Sequence, residues 1–186
     1  MPRSTASRPF LRALLAVLPV MAAASPVGAA ERAPSFFVQA GSGEEAVRAM
    51  SGGVAWLLPW RSASGAFTAR GEVFASVWRT PSLGGGHRNL VQVGLVPLVR
   101  WRPDEGRSPW FVEGGIGLSW LDADLRTPER TFSTRLNFSD NLGIGRSFGA
   151  RGEQELSLRW QHTSNAGIRK PNPGQDLLLV RYAHAF

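Results

Sequence analysis

Apolar and polar residues alternate with a period of two along most of the chain after residue 34. This alternation is typical of β-strands, whose successive side chains point to opposite faces. In one run, Val73, Ala75 and Val77 share a face and oppose Glu72 and Ser76. Clusters of Gly, Pro, Ser and Asp separate the runs. The pattern predicts strands over residues 35–43, 53–60, 66–79, 89–101, 110–122 and 132–148, with a final pair between 156 and 186.

Eight antiparallel strands of this length can close into the smallest class of β-barrel. The sequence therefore predicts an all-β fold, an eight-stranded antiparallel β-barrel. Alternation alone leaves two topologies open, because a soluble lipocalin-like barrel encloses its apolar face and a transmembrane barrel exposes that face to lipid. Aromatic residues at strand ends, charges on the polar face and an aromatic C-terminus favour the transmembrane barrel. Examples of these three features are Trp101 and Trp120, Arg70 and Arg135, and Phe186.

Three residues depart from the alternation. Asp140 falls on the apolar face of the sixth strand, and Leu177 and Leu179 fall on the polar face of the eighth. We expect the two leucines to fill a tapered lumen. We expect Asp140 to lie near a membrane interface or after a β-bulge.

The first thirty residues have the composition of a secretory signal peptide. Three arginines and no acidic residue precede Glu31, and an apolar run covers residues 11–24. Small residues follow as far as Ala30. We expect cleavage near Ala30, which makes residues 1–30 the signal peptide and residues 31–186 the barrel domain. A retained N-terminal anchor is the alternative.

Composition narrows the classes of function. Removal of the three arginines of the signal peptide reduces the formal net charge from +7 to +4. The remaining basic residues form no cluster of the kind that binds nucleic acid, and a mild positive charge suits anionic lipid head groups. The chain has no cysteine, which excludes disulfides and thiolate metal sites. Its three histidines, His87, His162 and His184, are scattered, so we expect no metal site and no cofactor.

His162, Ser164 and Asp176 are predicted to meet on the outer surface of the last two strands. His162 and Ser164 continue the apolar face that contains Trp160, so both point outward. If Phe186 faces lipid at the periplasmic rim, strand parity also directs Asp176 outward. Ten residues at about 3.4 Å each, tilted by about 40°, climb roughly 26 Å, which is close to the height of the apolar band. The three side chains are therefore expected at the outer-leaflet interface.

These three residue types can form a nucleophilic triad. A serine hydroxyl needs a base to take its proton, and His162 is the nearby candidate. Asp176 could accept the other imidazole N–H and stabilise the imidazolium. The following loop offers oxyanion donors, namely Asn165, the backbone around Ala166 and Gly167, and the Asn172 amide. The same residues also fit a non-catalytic interpretation, in which His162 belongs to the aromatic belt and the loop is an ordinary Asn/Pro/Gly turn.

A resemblance to a known family favours the catalytic interpretation. The segment His162-Thr163-Ser164-Asn165-Ala166-Gly167, followed by Pro171-Asn172-Pro173-Gly174 and Asp176, resembles the C-terminal motif of the PagL-type lipid A 3-O-deacylases. That family consists of small outer-membrane barrels with a His-x-Ser-Asn pattern and an acid twelve residues after the serine. The resemblance implies that Ser164 is the nucleophile and His162 the base. It also implies that Asn165, Gly167 and Asn172 lie in the region that stabilises the oxyanion. The acid in that family is usually glutamate, and Asp176 is one methylene shorter.

The resemblance implies an outer-membrane esterase that removes the 3-O-linked acyl chain of lipid A in lipopolysaccharide. Its active site would face the outer leaflet. Arg169 and Lys170 could meet phosphate groups there or could be solvated loop charges. Two other functions stay open: a non-catalytic barrel for adhesion or envelope integrity, and a phospholipase. A homodimer is compatible with the sequence and is not required by it.

Overall fold

The computed structural model describes residues 33–186, which form a closed barrel of eight antiparallel strands. The strands are β1 (Ser35–Gly43), β2 (Arg48–Arg61), β3 (Phe67–Pro81), β4 (His87–Trp101), β5 (Trp110–Leu121), β6 (Leu136–Phe148), β7 (Gln154–Ser164) and β8 (Gln175–Ala185). Each strand pairs with the next along the chain, and β8 pairs with β1 to close the barrel. The predicted eight-stranded fold is confirmed. The predicted signal peptide, residues 1–30, lies outside the described residues.

The outer surface of the barrel is apolar and its interior is polar. In β4, for example, Val91, Val93 and Leu95 are 42–55% exposed, and Gln92 between them is fully buried. A soluble barrel would bury the apolar set, whereas a barrel in lipid exposes it. The apolar face therefore points outward. No helix within residues 33–186 is long and apolar enough to span a membrane.

Two strands begin four or more residues away from their predicted starts. β2 begins at Arg48 and continues through Gly53, where the sequence had indicated a strand start. Gly53 is accommodated because the ring of Phe37 lies over it, and a Cβ at this position would lie 2.5 Å from the ring. β6 begins at Leu136 and not at residue 132. Phe132 instead turns inward and is 2% exposed within an apolar cluster at one end of the barrel.

Paired charges fill the middle of the barrel. Arg159 donates to Glu72 at 2.7 Å and to Glu113 at 2.5 Å. Arg100 donates to Glu113 at 2.7 Å and to Glu155 at 2.5 Å. Burial of a charge is costly unless the charge is paired and hydrogen-bonded, and this network pairs both signs. The interior is therefore a packed ionic core, as expected for a barrel of eight strands.

An apolar plug closes one end of the lumen. Leu177 and Leu179, which break the alternation of β8, are buried there and are at most 1% exposed. They belong to a cluster that also contains Val47, Ala49, Trp78, Leu90, Leu121, Leu125 and Phe132. The two leucines thus fill the lumen, as the sequence indicated.

The two ends of the barrel differ in the length of their connections. The longest connections of the described chain, 122–135 and 165–174, lie at the plugged end, and the start of β1 and the end of β8 lie at the opposite end. Outer-membrane barrels have short periplasmic turns and longer extracellular loops. We therefore refer to the plugged end as the extracellular rim and to the other end as the periplasmic rim.

Candidate active site

His162 and Asp176 face each other across the last strand pair, near the extracellular rim. They are direct partners in the register between β7 and β8. The imidazole Nδ1 of His162 lies 2.7 Å from Oδ1 of Asp176. Because an ionised carboxylate only accepts hydrogen bonds, Nδ1 carries the proton and Nε2 is free to act as a base. The aspartate therefore reaches the imidazole without the additional methylene of a glutamate.

The imidazole of His162 is packed between an aromatic ring and the loop backbone. It stacks on Trp160, with ring centroids 5.8 Å apart and an angle of 19° between the planes. On the loop side, Gly174 has a φ of 72°, and a Cβ added there would lie 2.6 Å from Cε1 of the imidazole. Glycine is the residue that combines this conformation with so close an approach. These contacts fix the ring on the outer surface of the barrel.

Ser164 is the last residue of β7 and shares the outer face with His162. It is 8% exposed, and its Oγ accepts a hydrogen bond from the backbone N–H of Ala166 at 3.4 Å. Within residues 33–186, no hydrogen bond joins the hydroxyl of Ser164 to the imidazole of His162. Catalytic hydrogen bonds are often long in the free enzyme and tighten when substrate binds. The histidine–aspartate contact is thus formed, and the serine lies two residues further along the same face.

The carboxamide of Asn165 is occupied by contacts within the loops. Its Nδ2 donates to Ser133 Oγ at 3.1 Å, to Thr134 Oγ1 at 3.1 Å and to the carbonyl of Arg169 at 2.8 Å. Its Oδ1 accepts from the backbone N–H of Gly167 at 3.0 Å. Asn165 is 3% exposed. The Asn165 side chain and the Gly167 N–H therefore stabilise the conformation of the 165–174 loop. Both already have hydrogen-bond partners within the loops.

Two other donors near Ser164 have no acceptor within residues 33–186 apart from the Ser164 hydroxyl itself. Asn172 accepts from the backbone N–H of Asn165 through Oδ1 at 3.0 Å, and its Nδ2 has no partner within residues 33–186. The Ala166 N–H contacts only the Ser164 hydroxyl in that part of the chain. Of the predicted oxyanion donors, the Asn172 amide and the backbone beside Ser164 are thus available to a ligand.

Arg130, in the 122–135 loop, holds the glycine that packs on the histidine. Its Nη1 donates to the carbonyl of Gly174 at 2.7 Å. Its Nε and Nη2 pair with Glu45 and Glu44, each at 2.7 Å. Arg130 therefore ties the loop behind His162 to the β1–β2 connection. The sequence carries no signal for these contacts, because the partners are 44 and 85 residues away.

Asp140 lies on the other side of His162. It is the direct partner of His162 in the register between β6 and β7, as Asp176 is between β7 and β8. The register of β6 is continuous through Asp140, so no β-bulge accounts for its outward position. Asp140 is half-buried and has no hydrogen bond or ion pair within residues 33–186. Its departure from the alternation was visible in the sequence, and its proximity to His162 was not.

A groove of about 560 Å³ lies beside Asp176 on the extracellular side of the outer surface. Trp160 and Leu178 line its apolar part, and Arg48 and the Glu44–Ala46 turn line its polar part. The groove could hold part of a ligand next to the histidine–aspartate pair. Within residues 33–186, no group of three or more His, Asp or Glu side chains is arranged to hold a metal ion.

Comparison with known families places this site in context. The family model described as lipid A 3-O-deacylase (PagL) matches residues 48–185, which is most of the chain. The chain belongs to the PagL family. The matched region of this PagL-family chain contains His162, Ser164 and Asp176. The resemblance inferred from the His-x-Ser-Asn segment is therefore confirmed.

Curated relatives carry the same family name. A lipid A deacylase PagL from Bordetella bronchiseptica is 32% identical over 109 residues, which cover 59% of this chain and 57% of the relative. A lipid A deacylase PagL from Pseudomonas aeruginosa is 29% identical over 123 residues, which cover 66% of this chain and 68% of the relative. The matched stretch thus spans little more than half of the Bordetella protein.

A solved structure shares the fold. A crystal structure of the outer membrane enzyme PagL superposes with a TM-score of 0.67 at 23% identity, and covers 82% of this chain and 99% of that chain. The PagL-family match and the outward apolar face agree in making this chain an outer-membrane β-barrel protein. The predicted localisation is therefore confirmed.

Proposed function

We propose that this protein is an outer-membrane esterase that hydrolyses the 3-O-linked acyl chain of lipid A. The observation that carries the proposal is the 2.7 Å contact between His162 and Asp176 on the outer surface, two residues from Ser164. A histidine oriented by a carboxylate beside a serine is the arrangement that activates a hydroxyl nucleophile. Membership of the lipid A 3-O-deacylase family supports the choice of substrate.

In the first step, the Oγ of Ser164 attacks the carbonyl carbon of the ester while Nε2 of His162 takes the hydroxyl proton. Asp176 accepts the Nδ1–H bond and stabilises the imidazolium that forms. The carbonyl oxygen becomes an oxyanion, and the Ala166 N–H and the Asn172 amide are the donors available to it. The bond between the acyl carbon and the sugar oxygen then breaks, and His162 returns the proton to that oxygen.

The second step releases the acyl chain. Water attacks the acyl carbon bonded to Ser164, and His162 takes a proton from the water. The bond between the acyl carbon and Oγ breaks, and the histidine returns the proton to Ser164. The products are a free fatty acid and a sugar hydroxyl, and the enzyme regains its starting state without a cofactor.

The surface of the barrel supports a lipid substrate that approaches from the membrane. Leu158, Trp160 and Leu178 are 39–44% exposed on the outer face next to the site. The lumen is filled by paired charges and closed by the apolar plug, so acyl chains have no space inside. In the proposed complex the acyl chains lie along the outside of the barrel, and the ester lies at the extracellular rim.

Mass spectrometry of lipid A from cells that express the protein tests this proposal. We expect wild-type protein to remove one 3-O-linked acyl chain, and Ser164→Ala and His162→Asn to remove none. His184→Asn is a matched control, because His184 is also a half-buried histidine on the outer face, packed on Phe36 at the periplasmic rim. This control is expected to keep full activity.

Two outcomes would contradict the proposal in different ways. Equal loss of the acyl chain with wild-type and Ser164→Ala protein would refute the role of the serine as nucleophile. If every form of the protein is inserted in the outer membrane and lipid A is still unchanged, the assignment of lipid A as the substrate is refuted. Release of fatty acid from glycerophospholipid vesicles by the purified protein would then indicate a phospholipase.

A further inference from the structure

Two arginines face each other on the outer surface at the extracellular rim. Arg48 at the start of β2 and Arg79 near the end of β3 are direct partners in the antiparallel register. Both side chains are exposed. Like charges directly opposite each other on neighbouring strands are destabilising. A negatively charged group between the two guanidinium groups would therefore relieve their repulsion.

Within residues 33–186 the protein does not supply such a group. The groove contains three acidic residues: Asp176 is paired with His162 at 2.7 Å, and Glu44 and Glu45 are both paired with Arg130 at 2.7 Å. Arg48 itself makes no hydrogen bond or ion pair in this part of the chain. The side-chain contact of Arg79 is with Nδ1 of His87 at 3.5 Å, which brings no negative charge. The two guanidinium groups thus present unneutralised donors at the surface.

The arginine pair is connected to the candidate active site through Arg48. Arg48 and Asp176 line the same groove, whose apolar part contains Trp160 and Leu178. Asp176 lies on β8 and Arg48 on β2, so two inter-strand steps of about 4.8 Å each separate the strands. An anion bound at Arg48 would therefore lie on the order of 10 Å from the His162–Asp176 pair. This separation is within the size of one acylated sugar and its substituents.

We propose that Arg48 and Arg79 form a binding site for a phosphate monoester on the sugar head group of the lipid substrate. Guanidinium groups match phosphate oxygens through paired, charge-assisted hydrogen bonds, and two of them can neutralise a phosphate dianion. The phosphate would fix the sugar at the rim while the acyl chains follow the apolar face, which presents the ester to Ser164. This inference rests on the proposed function, because it assigns the head-group specificity of the same site.

Binding to a form that cannot turn over tests the site without relying on hydrolysis. The probes are two synthetic glucosamine lipids that both carry a 3-O-acyl chain, one with and one without a phosphate monoester on the same sugar. In a Ser164→Ala background, we expect the phosphorylated lipid to bind more tightly. The Arg48→Ala/Arg79→Ala double variant should lose about ten- to a hundredfold in affinity for it. The affinity for the unphosphorylated lipid should change by less than about twofold.

Arg151→Ala is the matched control, because Arg151 is an exposed arginine in the 149–153 turn at the opposite, periplasmic rim. It should leave both affinities unchanged. An equal loss for the two lipids, or no loss for either, would overturn the phosphate site.

Turnover of the same two lipids by protein that retains Ser164 separates this inference from the proposed function. We expect the double variant to raise KM for the phosphorylated lipid with little change in kcat. If wild-type protein hydrolyses neither lipid, the proposed function fails, and the binding result still decides the phosphate site. If both lipids are hydrolysed and the double variant affects them equally, the phosphate site fails and the proposed function stands.

Discussion

Replacement of Asp176 by asparagine tests the central contact of the proposed mechanism. The carboxylate accepts the Nδ1–H of His162 at 2.7 Å, and no other group within residues 33–186 bonds to that nitrogen. Asparagine keeps the shape of the side chain and removes its charge. An asparagine that turns its NH₂ toward Nδ1 would also place the imidazole proton on Nε2, where it prevents proton transfer from Ser164.

The size of the effect follows from the geometry and the exposure of the pair. A hydrogen bond to a charged group contributes about 1.5–3 kcal/mol, against about 0.5–1.5 kcal/mol for a neutral one. The side chains of His162 and Asp176 are 27% and 41% exposed, so solvent weakens the charge term. Loss of about 1–2 kcal/mol from the transition state corresponds to a reduction in kcat of about five- to thirtyfold.

The assay is steady-state hydrolysis of a 3-O-acylated glucosamine lipid by purified protein in detergent micelles. We expect kcat to fall and KM to stay within about twofold, because Asp176 acts on the transition state and not on substrate binding. Asp140→Asn is the control, since Asp140 also faces His162 across a strand pair and makes no hydrogen bond within the described chain. The Asp140→Asn substitution should reduce kcat by less than about threefold.

Two results would refute this reasoning. One is an Asp176→Asn protein that retains at least half of the wild-type kcat. The other is an Asp140→Asn protein that loses as much activity as Asp176→Asn, which would mean that general negative charge beside His162 matters and the specific hydrogen bond does not.

Three further substitutions test the surroundings of the site and the barrel interior. Gly174→Ala should reduce kcat by about tenfold or more while the barrel stays folded by circular dichroism, because the added methyl group displaces the imidazole of His162. Arg130→Ala should reduce kcat by about tenfold with little change in KM, since it frees the carbonyl of Gly174, and unchanged kinetics would show that the loop keeps its position without it. Glu113→Gln should lower the free energy of unfolding by about 3 kcal/mol, because the buried Arg159 loses a carboxylate partner at 2.5 Å. Urea titration followed by tryptophan fluorescence measures this loss, and an unchanged midpoint would contradict a stabilising role for the ionic core.

The strand pattern was predictable because it depends on local chemistry. Each residue of a strand points to one of two faces, so the alternation of Val73, Ala75 and Val77 with polar neighbours indicated the face that each side chain takes. The starts of β2 and β6 were not predictable in the same way. They depend on Phe37 covering Gly53 and on Phe132 joining the apolar plug, and both contacts form only when distant segments meet.

The sequence by itself determined the eight-stranded barrel, the family and the outward direction of His162, Ser164 and Asp176, because period-two alternation and a short motif are both local. Only the tertiary structure decided which groups touch these residues. Asp140 lies opposite His162 between β6 and β7, Arg130 bonds to the glycine that packs on His162, and Arg48 lines the groove beside Asp176. Their positions follow from the registers between strands and from the closure of the barrel, which bring together residues that are far apart in the chain.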